Sequence, residues 1–420
     1  MIPIKNILKT DFGTIPVDPY WNTSSDKELK MHRIHAYPAK FPAFITTKAL
    51  NYAEKHLQKI NAIADIFCGC GTTAFEAKRN NIDFWGCDIN PVATMIAKTK
   101  SKKYEDWRLK KYLTEILEKY ESSTIRDSYD RANERLKYWY RKKEYNNLLC
   151  LKTIIEEVTP EGSDYRRFFL CAFSNILKAA SVWLTKSIKP QVDPKKDPVD
   201  VIFAFKNQCK FMISANQQNN LLGKSSTRIV NGNFLDESLR KPMVDLIVTS
   251  PPYVTSYEYA DLHQLSSLWL GFTADYRDLR EGSIGSTQHN YNFNKEWKRL
   301  NITGSKIVSQ LLVEQKPKAY SIAKYFLDIQ TTTRNSYQML NTNGMALFVI
   351  GNTKYKGVHI DNAKHLSEAL ENAGFAEILV TKRKISNKIL TPFRDDRGKF
   401  TTLASGRKVY SEEFIIIGRK

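Results

Sequence analysis

The chain has 420 residues, 64 lysines and arginines against 44 aspartates and glutamates, and a formal net charge of +20. Its 42% hydrophobic and 12% aromatic content excludes a disordered chain, and no run reaches the roughly 18 consecutive apolar residues of a membrane helix. Six scattered cysteines lack the spacing of a disulfide framework or a zinc site, whereas the excess positive charge favours a polyanion partner through counterion release.

The N-terminal MIPIKNILKTDFG has neither the apolar run nor the small-residue cleavage site of a secretory signal, so a soluble, cytoplasmic protein with no membrane partner is expected. Residues 62–67 form a short apolar run that ends in Cys68-Gly69-Cys70-Gly71-Thr72-Thr73 and opens into the helix-like AFEAKRN. A second run, residues 82–87, ends in Asp88-Ile89-Asn90-Pro91 and is followed by the helical VATMIAKTK. Strand, glycine loop, helix, strand and acidic residue form the first half of an open parallel α/β sheet, with a ligand expected at the carboxyl ends of the strands.

From 101 to 225 the pattern changes to charged, helix-period segments such as YLTEILEKYESS and RRFFLCAFSNILKAASVWL, broken by KPQVDPKKDPVD. The α/β pattern resumes at Ile229-Val230 and at VDLIV, residues 244–248, which leads into Thr249-Ser250-Pro251-Pro252-Tyr253. A helix over 322–340, a strand over 345–350, a helix over 363–373 and strands over 377–381 and 413–417 complete the chain. Three parts are expected: 1–100 carrying the glycine loop, a helical insertion over 101–225, and 226–420 carrying the Pro-Pro turn. The sheet is split in sequence and continuous in space.

Gly69 and Gly71 let the backbone approach a ligand where a Cβ would clash, and Thr72 or Thr73 is placed to cap the next helix. Asp88, at the end of the following strand, stands where a carboxylate can hold both hydroxyls of a ribose. Together they point to a nucleoside cofactor. In Ser250-Pro251-Pro252-Tyr253, two prolines fix φ and remove two N–H donors, which leaves a rigid turn with outward acceptors. Such a turn can hold an exocyclic NH₂, and Tyr253 offers a face on which a base can stack.

These residues carry a family resemblance. Asp65-Ile66-Phe67-Cys68-Gly69-Cys70-Gly71-Thr72-Thr73 resembles the cofactor loop of S-adenosylmethionine-dependent DNA amino-methyltransferases, and Thr249-Ser250-Pro251-Pro252-Tyr253 resembles their catalytic tetrapeptide in the serine form associated mainly with cytosine-N4 enzymes. His35-Ala36-Tyr37-Pro38-Ala39-Lys40-Phe41-Pro42 is similar to the segment that covers the methionine end of the cofactor. The resemblance spans residues 32–98 and 229–418. It implies a Rossmann-like class I methyltransferase sheet with a large helical insertion, S-adenosyl-L-methionine as cofactor and double-stranded DNA as partner. It further implies a cofactor site of Lys40, Phe41, Pro42, Asp65, Phe67, Gly69, Gly71, Thr72, Thr73, Asp88, Asn90 and Asn233, catalytic residues Ser250, Pro251, Pro252 and Tyr253, and a cognate restriction endonuclease. Cys70 stands where serine is frequent, and Gly232-Asn233 where members often carry Gly-Asp.

No Pro-Cys pair occurs in the chain, so the thiolate attack of cytosine-C5 methylation has no nucleophile, and the zinc motif of base deaminases is also missing. An exocyclic amine needs neither. The reading is therefore methylation of the N4 amine of a flipped cytosine in duplex DNA, in restriction-modification or host defence. Adenine N6 is the alternative atom, and a non-catalytic DNA-binding protein retaining the fold the alternative class. Residues 101–225, with the polar stretch 275–320, are the expected target-recognition region. The runs Lys100-Ser101-Lys102-Lys103 and Lys382-Arg383-Lys384 are candidate phosphate contacts, and His35 is structural or cofactor-side. Tyr257–Asp261 with Trp269–Gly271 resemble the segment that follows the tetrapeptide in related enzymes and are expected as an amphipathic helix that packs on the sheet.

Overall fold

Leu246, Val248, Leu347 and Val349 are buried on one side of a single sheet, and Ile247, Ala346, Phe348 and Ile350 on the other, the alternation of strands covered on both faces. The computed structural model describes residues 1–23, 27–38, 40–219, 223–236, 241–254, 258–286, 291–385, 393–394, 400–401, 407–408 and 411–420. Its main sheet has eight strands: β1 (Ile2–Pro3), β2 (Ala62–Asp65), β3 (Asp83–Asp88), β4 (Thr227–Asn231), β5 (Val244–Thr249), β6 (Leu340–Ile350), β7 (Glu377–Lys384) and β8 (Glu412–Arg419). Their order is β1-β7-β8-β6-β5-β2-β3-β4. The five from β4 to β6 run parallel, and β8 lies antiparallel between β6 and β7. The sheet is thus continuous across the insertion, because β4 pairs with β3 and β5 with β2.

Helices α1 (Ala43–Glu54), α2 (Thr72–Arg79) and α3 (Pro91–Lys100) accompany the first strands. β2 stops at Asp65 rather than Phe67, because the Phe67 N–H turns back to Asp65 Oδ1 at 3.2 Å, a side-chain turn that competes with the ladder. The helices Ile302–Leu312, Lys316–Met339 and Asn362–Ala373 cover one sheet face, α1 and α2 the other. Among the described residues no helix is long and apolar enough to cross a membrane.

The insertion contains α4 (Asp106–Ser122), α5 (Glu134–Trp139), α6 (Lys142–Val158), α7 (Asp164–Ile176) and α8 (Val201–Gln217). Phe75 of α2 and Val92, Met95 and Ile96 of α3 are buried in one cluster with Leu113, Leu148, Phe169, Phe173 and Phe205 of these helices. Asn216, fully buried on α8, bonds both backbone groups of Tyr104, donating to its carbonyl and accepting from its N–H, each at 3.0 Å. The insertion therefore shares a core with the sheet's own helices and does not stand off as a separate globule. Phe169→Ala, which empties a fully buried site, is expected to cost roughly 3–5 kcal/mol and to lower one common unfolding midpoint in a denaturant titration read by both fluorescence and circular dichroism. Two separated transitions would mean independent folding.

Candidate active site

The strand order reverses between β2, which continues to β3, and β5, which lies on its other side; this switch point opens a crevice at the carboxyl ends of the strands. There Thr249 Oγ1, ending β5, donates to Asp65 Oδ1, ending β2, at 2.7 Å across 184 residues of sequence. The glycine loop begins directly after. Gly71 has φ +76°, and a Cβ there would lie 2.6 Å from Ala97 Cβ and 2.7 Å from its Cα in α3, so no larger residue fits. The expected threonine cap is not formed: Gly71 itself is the N-cap of α2, with no side-chain bond. Thr73 instead faces Asp65 and Thr46, and the buried Thr72 hydroxyl has no partner among the described residues.

Asp88 ties the strand ends together. Its Oδ2 accepts the Gly69 N–H and its Oδ1 the Asn90 N–H, both at 2.8 Å. Asn90 Oδ1 in turn caps α3 by accepting from Val92 at 3.0 Å, and its buried Nδ2 has no partner among the described residues. Burial pushes both Asp65 and Asp88 up to about 6, against the hydrogen bonds that favour their ionised forms.

A cleft of about 2560 Å³ runs over this edge. It brings together Lys40, Phe41, Pro42, Asp65, Phe67, Gly69, Thr72, Asp88, Asn90, Asn233, Ser250, Pro251, Pro252 and Tyr253, while Gly71 and Thr73 lie behind its lining. Ala39 falls outside the described residues. The Lys40 ammonium is bound to Glu28 Oε2 at 2.8 Å and the His32 carbonyl at 3.0 Å. Asn233 accepts from the Leu235 N–H and donates to the Gly282 carbonyl, which fixes a local turn. Phe67, Ile89 and Phe234 add apolar lining. A carboxylate at a strand end, the unpartnered Thr72 hydroxyl and Asn90 amide, and an apolar wall fit a nucleoside bearing donor hydroxyls.

On the β5 side, Ser250 Oγ donates to the Val349 carbonyl at 3.0 Å. Its hydrogen is thereby spent inside the protein and its lone pairs are left to accept. Among the described residues no backbone N–H reaches the Pro251 carbonyl, so this acceptor is open. Tyr253 packs on Gly351, where a Cβ would sit 3.2 Å from its ring. Its hydroxyl donates to Glu413 Oε1 at 3.0 Å, and Arg383 Nε holds Glu413 Oε2 at 3.0 Å. Burial and the Glu413 carboxylate raise the Tyr253 phenol well above its ordinary range. Glu413 and Val349 escaped the sequence reading; a charged residue beside the apolar FIII of the last strand was the one visible sign.

Part of the basic runs is corrected as phosphate contacts: Lys100, Lys382 and Arg383 are buried and turned inward, while Lys102, Lys103 and Lys384 are exposed. Arg383 pairs with Glu413, and Lys382 Nζ donates to the Gly13 carbonyl at 2.7 Å. Lys100 is buried with Nζ 3.5 Å from Cys70 Sγ, Lys102 pairs with Asp164 at 2.8 Å, and Lys103 donates to the Asn216 carbonyl at 2.9 Å. The stretch after the Pro-Pro turn is also corrected. Its helices Tyr259–Leu262 and Gln264–Trp269 lead to a buried Trp269 that packs in the insertion's core, not on the sheet, and Tyr257 falls outside the described residues. His35 Nε2 meets Ser174 Oγ of α7 at 2.9 Å, and Ser174 donates to Ser266 at 2.7 Å, so this histidine joins the N-terminal segment to the insertion. Tyr37 stacks on His263, centroids 4.9 Å apart.

Residues 9–99 match the DNA methylase family. The chain is similar to the Type II methyltransferase M.MvaI of Kocuria varians, 24% identical over 88% of this chain and 87% of that one. It is also similar to M.BsoBI of Geobacillus stearothermophilus, 22% identical over 85% and 81%, and to M.MjaII of Methanocaldococcus jannaschii, 30% identical over 32% and 26%. Among solved structures, an rRNA methyltransferase from Streptomyces viridochromogenes aligns at TM-score 0.31 and 8% identity over 93% of this chain and 91% of its own; the fold assignment rests on the strand order above.

Because Asp65 and Asp88 are raised from 3.8 to about 6, they hold protons more tightly folded than unfolded. Their contribution to stability is full below the unfolded value and is lost as pH rises through about 6. A nucleoside whose hydroxyls donate to Asp88 has the opposite preference, since it needs the ionised form. S-adenosylmethionine affinity in calorimetry is therefore expected to weaken as pH falls through about 6, and Asp88→Asn to flatten that dependence.

Proposed function

We propose, from the match of residues 9–99 to the DNA methylase family and the likeness to Type II methyltransferases, that the chain is a DNA amino-methyltransferase and methylates the exocyclic N4 amine of a cytosine flipped from duplex DNA, at a specific site and in a restriction-modification setting. The observation that carries this reading is the Thr249–Asp65 bond, which sets the acceptor turn beside the cofactor loop. S-adenosylmethionine is the cofactor, and it supplies an electrophilic methyl group on a sulfonium. Asp88, Thr72, Asn90 and the loop at Gly69 would hold its nucleoside, with Phe41 and Pro42 on the side of the N-terminal segment.

The remaining work falls to the turn. The lone pairs of Ser250 Oγ and the carbonyl of Pro251 accept the two N–H groups of a target amine. That pairing draws the nitrogen lone pair out of conjugation with the ring and fixes its direction. Tyr253 stacks on the base, and its own orientation is held through Glu413 and Arg383. The nitrogen would bond to the methyl carbon as the carbon–sulfur bond breaks, with S-adenosylhomocysteine leaving as a neutral thioether and the amine's surplus proton passing to water. Orientation in a near-attack geometry supplies most of the rate, and extraction of the base costs a few kcal/mol of stacking and pairing. The serine form of the tetrapeptide favours cytosine. A cognate endonuclease would cut the same site when it is unmodified.

Tyr253→Ala is expected to weaken binding of site DNA by about 1–3 kcal/mol through lost stacking while cofactor affinity is retained, as read by fluorescence anisotropy and calorimetry. Digestion of treated DNA to nucleosides followed by mass spectrometry should yield N4-methylcytosine. N6-methyladenine would move the target to the alternative amine, and 5-methylcytosine would overturn the mechanism.

A further inference from the structure

The insertion reaches the cleft at few places, and Arg135 on α5 is the one built for recognition. Its Nε donates to Gln264 Oε1 at 2.6 Å, and the same oxygen accepts the Trp139 indole N–H at 2.9 Å. Gln264 is fully buried, and its own NH₂ donates to the Asp261 carbonyl at 2.7 Å, so the amide's orientation is fixed and it anchors Arg135 rigidly. The guanidinium carbon lies 4.8 Å from the Tyr138 ring and 5.3 Å from the rings of both Trp139 and Tyr276. Nearby carboxylates are committed elsewhere: Asp261 to Arg280, Asp275 to Arg277 and Glu134 to Lys137. Among the described residues nothing pairs with the two Nη groups.

A half-buried guanidinium without an anion is held at a cost in desolvation. Its planar fork, fixed by aromatic faces and one hydrogen bond, matches a pair of acceptor atoms. On the same wall Lys178 bonds the carbonyls of Thr185 and Ser187, which holds the loop carrying the exposed Lys186 at the cleft.

We propose that Arg135 is a DNA-contacting residue of the insertion, whose paired Nη groups receive two acceptors from the DNA drawn into the cleft. The acceptors are either phosphate oxygens or the O6/N7 edge of a guanine. The proposal rests on the methyltransferase reading and adds to it the point at which the insertion grips the substrate.

The test uses the full chain with S-adenosylhomocysteine and two 30-bp duplexes, one bearing the site that the wild-type protein methylates in a plasmid and one scrambled. Arg135→Met keeps the stem's packing, Arg135→Lys keeps the charge, and melting curves check that both fold. A drop in affinity of roughly tenfold or more is expected for Arg135→Met. A phosphate contact shows as equal loss on both duplexes, a salt slope reduced by about 0.9 and partial recovery with lysine. A guanine contact shows as loss on the site duplex alone, with methylation relaxed at one G·C pair. Unchanged affinity for both duplexes with an unchanged methylated site in folded Arg135→Met overturns the proposal. Failure of the wild type to bind or methylate DNA overturns the methyltransferase reading itself, and the role of Arg135 with it.

Discussion

One buried hydrogen bond, from the Thr249 hydroxyl to the Asp65 carboxyl, joins the two halves of the proposed reaction centre. It lies where the strand order reverses, so it connects the last residue of β2 to the last residue of β5, and each strand delivers its own loop just beyond it. A glycine turn that admits a nucleoside and a proline turn that presents acceptors become one site only while these strand ends stay in register. Asp65 is deeply buried and raised towards neutrality by that burial, so the threonine hydroxyl and the Phe67 N–H are what keep its charge tolerable.

The second constraint is the shared core. Because α2 and α3 bury their outer faces among the insertion's aromatics, the helices that carry the glycine loop and the Asp88 cap also position the wall that faces the cleft from the other side. His35, Ser174 and Ser266 continue that linkage through hydroxyl contacts between the N-terminal segment, α7 and the helix after the Pro-Pro turn. The insertion's wall of the cleft and the glycine loop are therefore parts of one packed body. A change at Phe169 or Ser174 can reach the chemistry without touching it.

Much of this was legible in the sequence, for identifiable reasons. Strand ends, the glycine loop and the Pro-Pro turn are local: their residue types fix backbone conformation within a few positions, and Asp88 and Ser250 follow from standing directly at strand ends. The Tyr253–Glu413 bond spans 160 residues and depends on the antiparallel register of β8 between β6 and β7, which no local pattern encodes. The buried members of the basic runs misled for a related reason. Formal charge does not say where a side chain points, and Lys100 and Arg383 point inward to Cys70 and Glu413. The amphipathic stretch ending at Trp269 showed an apolar face but not its partner, and the partner was the insertion.

Thr249→Val removes the bond between the two halves while keeping the side chain's shape, so single-turnover methyl transfer and cofactor affinity, measured separately on this folded variant, bear most directly on whether the two turns form one reaction centre. The expected result is a fall in the transfer rate of roughly ten- to a hundredfold, the scale of a small misplacement of reacting groups, with cofactor affinity changed only a few-fold. An unchanged transfer rate in the folded variant would contradict the dependence of the site on the register between β2 and β5.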